Sequence, residues 1–123
     1  MKISILLPYK ENFSPIYAGA VSLFVKDTTK LSKYKKYITV YGNTKLKKIY
    51  KLNYKNIFLK KNLVQSGSKV YVSQFLKYEK ENPSDIIEIH NRPNYFHLIN
   101  SFKKNQKLVL YFHNDPLTMT GSR

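Results

Sequence analysis

Cysteine is absent from the 123-residue chain. Disulfides and thiolate metal sites are therefore excluded, and the composition suits a reducing compartment. Long apolar runs are missing too. Residues 3–7 and 108–112 are each a fraction of the roughly 20 residues that a bilayer-spanning helix requires. Lys2 is followed by a brief apolar stretch and then by Pro8, Lys10 and Glu11, which is not the pattern of a signal peptide. A cytoplasmic protein is expected. Arginine is scarce: Arg92 and Arg123 are the two present, so 20 of the 22 basic residues are lysines, set against 7 acidic residues. The formal charge of +15 attracts phosphates, whether of nucleic acid or of anionic lipid. Readers of nucleic acid favour arginine for bidentate contacts, so the lysine bias argues against them. Lys, Asn, Ile and Tyr are abundant together, as AT-rich codons would also produce.

What the chain does contain is enough apolar residue, 42%, to build one packed domain. Residues 1–7 read as a buried first strand stopped by Pro8, and residues 9–17 as a loop. A helix follows, with Ala20, Leu23, Phe24, Asp27 and Leu31 at helical spacing and Val21 and Val25 beside them. Residues 37–41 form a β-branched and aromatic strand ending at Gly42-Asn43. A third strand is expected at 57–59. Ser66 offers an N-cap to a helix over 70–81, which Pro83 terminates. Residues 85–90 are a strand, Pro93 opens a helix whose apolar face is Tyr95, Phe96, Ile99 and Phe102, and residues 108–112 are a last strand. Strands alternating with helices predict an α/β fold, an open, mainly parallel, Rossmann-like sheet with right-handed crossovers. Residues 118–123 end the chain with no helix to cover the last strand, and truncation of a longer domain is expected.

Two corners of this fold echo each other. One strand ends in His90-Asn91-Arg92-Pro93 and another in His113-Asn114-Asp115-Pro116. In open α/β sheets ligands bind beyond the carboxyl ends of the strands, so both imidazoles and both amides are placed at one crevice. Each corner is equally what a turn requires, since Asn and Pro are turn formers. No third ligand stands at close spacing to the histidines, and no metal-binding motif is present. The start of the first helix, Ala18-Gly19-Ala20, is built of small residues. These would let a phosphate approach the free N–H groups and the positive end of the helix dipole, or simply let the helix pack closely on the sheet. It is neither a P-loop nor a dinucleotide fingerprint.

Three segments together, ISILLPYKENFSPIYAGAVSLFVKD, SDIIEIHNRPNYFHLI and KLVLYFHNDPLTMTGSR, resemble the N-terminal, acceptor-side domain of group-one retaining glycosyltransferases of the GT-B fold, closest to the lipopolysaccharide and cell-envelope branch. The resemblance implies that residues 1–123 are the incomplete N-terminal half of a GT-B architecture. The donor-binding domain with its paired glutamates is missing, so the chain is expected to be inactive alone. It further implies a nucleotide-sugar substrate rather than a cofactor, and a glycan or lipid-linked acceptor. Ala18, Gly19 and Ala20 would approach the donor diphosphate, although the family's Gly-Gly pair is here broken. His113 would contact the transferred sugar. His90, Asn91, Arg92, Asn114 and Asp115 would lie by the acceptor, and lysines on the first helices would hold the protein at the inner face of an anionic membrane. The alternatives are a stand-alone Rossmann-like module for a small anion and, third, a basic nucleic-acid-binding domain.

Overall fold

The structure, a computed structural model, describes residues 1–17, 19–59, 67–102 and 105–113. Among these residues five strands, β1 (Ile3–Leu6), β2 (Ile38–Gly42), β3 (Tyr54–Asn56), β4 (Ile86–His90) and β5 (Lys107–Tyr111), form a single sheet in the order β3-β2-β1-β4-β5. Every neighbouring pair is parallel. Three helices, α1 (Ala20–Leu31), α2 (Gly67–Glu81) and α3 (Pro93–Phe102), flank the sheet, giving the open Rossmann-like α/β architecture that the alternation predicts.

The strands alternate their side chains between two cores, as a period of two requires. Ile5, Leu7, Ile38 and Val40 pack with Val21 and Val25 of α1 and with Phe13 of the preceding loop. Leu6, Tyr41, Ile87 and Ile89 pack with Tyr71, Val72 and Phe75 of α2 and with Tyr95 and Ile99 of α3. β1 is central. The chain leaves it for β2 on one side and later returns to β4 on the other, so the β1–β4 gap is the point where the strand order reverses, and a crevice is expected at its carboxyl end.

Several local expectations shift. The buried stripe of α1 is Val21, Ser22, Val25 and Thr29, not the stripe through Leu23 and Leu31, which are exposed. The β-branched and small side chains at 21, 25 and 29 keep the helix close to the sheet. Tyr37 belongs to a 3-10 turn, Lys35–Tyr37, ahead of β2. The third strand lies at Tyr54–Asn56, earlier than residues 57–59, because the ladder to β2 pairs Val40 with Tyr54 and Gly42 with Asn56; Ile57 is buried just beyond it. α2 begins at Gly67, earlier than residue 70, and its expected cap Ser66 lies outside the described residues. Phe102, expected on the apolar face of α3, is 66% exposed, since the helix ends there and its buried residues are Pro93, Tyr95 and Ile99. Residues 118–123 also lie outside the described residues.

Candidate functional site

The two histidine corners meet. β4 and β5 are adjacent and in register, with His90 opposite Tyr111, so the residues that follow each strand emerge on one rim. Asn91 makes the junction. It adopts a left-handed backbone, φ 58°, which Asn tolerates better than most residues. Its N–H donates to the Tyr111 carbonyl at 2.8 Å, and its Oδ1 accepts from the His113 N–H at 3.2 Å. Held this way, Nδ1 of His90 stands 2.9 Å from Nε2 of His113.

An aromatic wall surrounds the pair. Phe24 of α1 presents an edge-to-face contact to His113 at 4.9 Å between centroids and a tilted contact to Tyr111 at 5.0 Å. Tyr111 stacks on His90 at 5.3 Å. His90 is 1% exposed, while His113 is half-buried. Burial and then the neighbouring His90 push the His113 imidazole below its ordinary value of 6.5; Glu11 and Glu88 act in the opposite direction. His113 is thereby favoured as a neutral ring with a lone pair. Nε2 of His90 lies 3.2 Å from Oε2 of Glu88. It nevertheless makes no hydrogen bond among the described residues, because the approach is short but misaligned. The contact is electrostatic rather than a directed bond.

The start of α1 is differently arranged from the expectation. Gly19 is its N-cap residue and makes no side-chain cap. Glu11, reaching from the loop, accepts a hydrogen bond from the Ser22 N–H at 3.1 Å. A Cβ at Gly19 would collide with that carboxylate. The helix end that Gly19 and Ala20 open thus already holds an anionic group, supplied by the chain itself. Ala18 lies outside the described residues, as do Asn114 and Asp115.

Arg92 points elsewhere. Its Nη1 donates to the Asn91 carbonyl at 2.7 Å. Its side chain lines a cleft of about 630 Å³ between α2 and α3, with Lys69, Asn94 and Tyr95 among the other walls. Neither histidine of the pair lines that cleft. Asn91 is 7% exposed, and its side-chain oxygen is engaged with the His113 backbone. His90, Asn91 and His113 are thus brought together, whereas Arg92 opens onto the other face of the sheet.

Residue-by-residue reading missed Glu88, Glu11 and Tyr111. Glu88 had a signal: two residues before His90 in a strand, it must share its face. Glu11 had none, since its contact depends on how the loop folds back onto α1. Among the described residues no cluster of three His, Cys, Asp or Glu side chains is arranged to hold a metal ion, and no helix is long and apolar enough to cross a membrane. No protein-family model matches the chain, and neither a curated protein nor a solved structure matches it.

Proposed function

We propose that this chain is the N-terminal, acceptor-side part of a retaining glycosyltransferase that moves a sugar from a nucleotide-sugar donor to a glycan or lipid-linked acceptor of the cell envelope. The observation that carries the proposal is the His90–His113 contact at the carboxyl rim of a parallel sheet, beside the point where strand order reverses. A neutral, half-buried imidazole set among aromatic rings suits a sugar: rings cover its C–H faces and the imidazole takes a hydroxyl. The donor diphosphate would approach the start of α1, where Glu11 now caps the Ser22 N–H and would have to withdraw. The α2–α3 cleft with Lys69 and Arg92 offers the cationic ground an anionic acceptor would need. Turnover would require a nucleotide-binding half, because closure between two domains is what excludes water from transfer.

A cytoplasmic, membrane-peripheral location accompanies this function. No acidic residue lies between Asp27 and Glu79. The end of α1 and the following turn carry Lys30, Lys33, Lys35 and Lys36 around Leu31, which is 85% exposed. Lysines around an exposed apolar side chain suit an anionic lipid surface.

Saturation-transfer NMR on the protein with the methyl glycosides of glucose, N-acetylglucosamine and mannose, which need no nucleotide pocket, tests the function. Saturation of the sugar protons, lost in His113→Ala, is expected. Saturation by none of the three, with binding of inorganic phosphate alone, would leave the small-anion module in its place.

A further inference from the structure

Two neutral imidazoles in contact share one proton across the bond, so one ring donates and the other accepts. Glu88 decides which. Its Oε2 lies 3.2 Å from Nε2 of His90. A bare Nε2 there would set its lone pair against a carboxylate oxygen, which is repulsive; a protonated Nε2 turns an N–H dipole toward it. The His90 side chain is almost wholly buried and Nε2 has no hydrogen-bond partner among the described residues, so nothing competes with this choice. Misalignment weakens the contact as a bond but not the sign of the electrostatics.

With its proton on Nε2, neutral His90 has a lone pair on Nδ1, and the 2.9 Å contact must be filled by the N–H of His113 Nε2. The proton of neutral His113 is then accounted for, and its Nδ1 is left as an acceptor. Exchange of the two nitrogens by a ring flip is opposed by Phe24, packed edge-to-face at 4.9 Å, and by Tyr111 at 5.2 Å. The Asn91 Oδ1 contact to the His113 N–H anchors the backbone from which the ring projects.

We propose that Glu88, acting through His90, is a positioning residue that fixes His113 in the Nε2–H form, so that Nδ1 accepts a hydroxyl of the bound sugar. The sugar in this statement rests on the function proposed above; the relay of protons does not. A carboxylate that orients a histidine by its far nitrogen is a recurring way to set the tautomer of a working imidazole.

Long-range ¹H–¹⁵N correlation on histidine-labelled protein at about pH 8, above the ordinary imidazole range, reads the tautomers directly. Both His90 and His113 are expected as Nε2–H. In Glu88→Ala, with backbone dispersion retained, the His113 pattern is expected to become the average of two tautomers. Binding of methyl glucoside, followed by saturation transfer, should weaken about tenfold, as loss of one well-oriented hydrogen bond would give. Should Glu88→Ala fail to fold, Glu88→Gln serves: its amide oxygen still accepts, so the tautomer should persist. The protonation midpoint of His113 should fall, since the carboxylate holds it up. His113 found as Nδ1–H in the wild-type protein, or unchanged in a folded Glu88→Ala, overturns the relay. Correct tautomers without saturation of any of the three methyl glycosides would uphold the relay and remove the sugar, and with it the proposed function.

Discussion

The sheet carries a carboxylate-centred polar cluster at each end, and the two differ in how completely they are satisfied. At the amino ends of the strands, on the α2 face, Glu79 accepts from Ser4 Oγ at 2.8 Å, Ser84 N–H at 2.9 Å and Ser84 Oγ at 2.7 Å. Glu79 is 3% exposed, and the two hydroxyls around it also meet each other at 2.5 Å, where either can donate. At the carboxyl ends, on the α1 face, Glu88 meets His90 off line, and His90 keeps a buried nitrogen without a hydrogen bond. A buried polar group is expected to be satisfied, and exceptions ask for a reason. The first cluster fastens α2 and the turn before β4 to the central strand. The second leaves a buried nitrogen turned to Glu88 alone, next to His113, the half-buried member of the pair.

Breaking the satisfied cluster should have the largest effect on the fold. Glu79→Ala strands the Ser84 N–H and leaves the Ser4 and Ser84 hydroxyls to pair with each other; it should lower stability by about 3 kcal/mol, seen as a lower urea midpoint. At the rim, stability resides in the rings rather than in the charges. Phe24→Ala should cost about 2 kcal/mol, the loss of a partly buried aromatic, and broaden the His113 side-chain resonances. Glu11→Ala removes the only side-chain partner seen on the Ser22 N–H among the described residues and should cost about 1 kcal/mol, the usual worth of a helix cap, read from thermal unfolding. His113→Gln loses the ring contacts and the hydrogen bond to buried His90 and should cost about 1 kcal/mol, well short of Glu79→Ala, while abolishing saturation transfer to methyl glucoside. An equal loss of stability in His113→Gln and Glu79→Ala would erase the distinction between the clusters.

The pH dependence sharpens the same contrast. His113 binds its proton less tightly in the folded state than in the unfolded one. The unfolded chain therefore takes up more protons once pH falls below about 6.5, and stability declines from there through the lower folded-state value, then levels off. Above 6.5 His113 makes no pH-dependent contribution. Urea midpoints measured from pH 7.5 down to 5.5, in wild type and His113→Gln, check this: the variant should lose the His113 share of the slope.

Burial of the tyrosines shows where sequence patterning was sufficient. Tyr71 at helical spacing on α2 is fully buried, with burial holding its phenol well above 10. It donates to the Leu7 carbonyl at 2.7 Å, just past β1. Its place on an apolar face could be read from periodicity; its hydrogen bond to another element could not. In α1 the apolar residues surround much of the helix, so spacing left several faces open, and packing chose the one through Val21 and Val25. The third strand was misplaced because a three-residue strand carries almost no periodic signal, and its register is set by pairing with β2. The echo of His90-Asn91 and His113-Asn114 was legible, and so was its location at strand ends; the contact between the rings was not.

The amino-acid sequence by itself determined the α/β class, the parallel sheet and the placing of both histidines at carboxyl strand ends, because alternation and turn chemistry are local. The tertiary structure alone decided that β4 and β5 are neighbours in register, that Glu88 stands against His90, and that Glu11 occupies the start of α1. Those facts depend on long-range pairing and on loops folding back, and no local preference of the chain encodes the distances between residues brought together from separate elements.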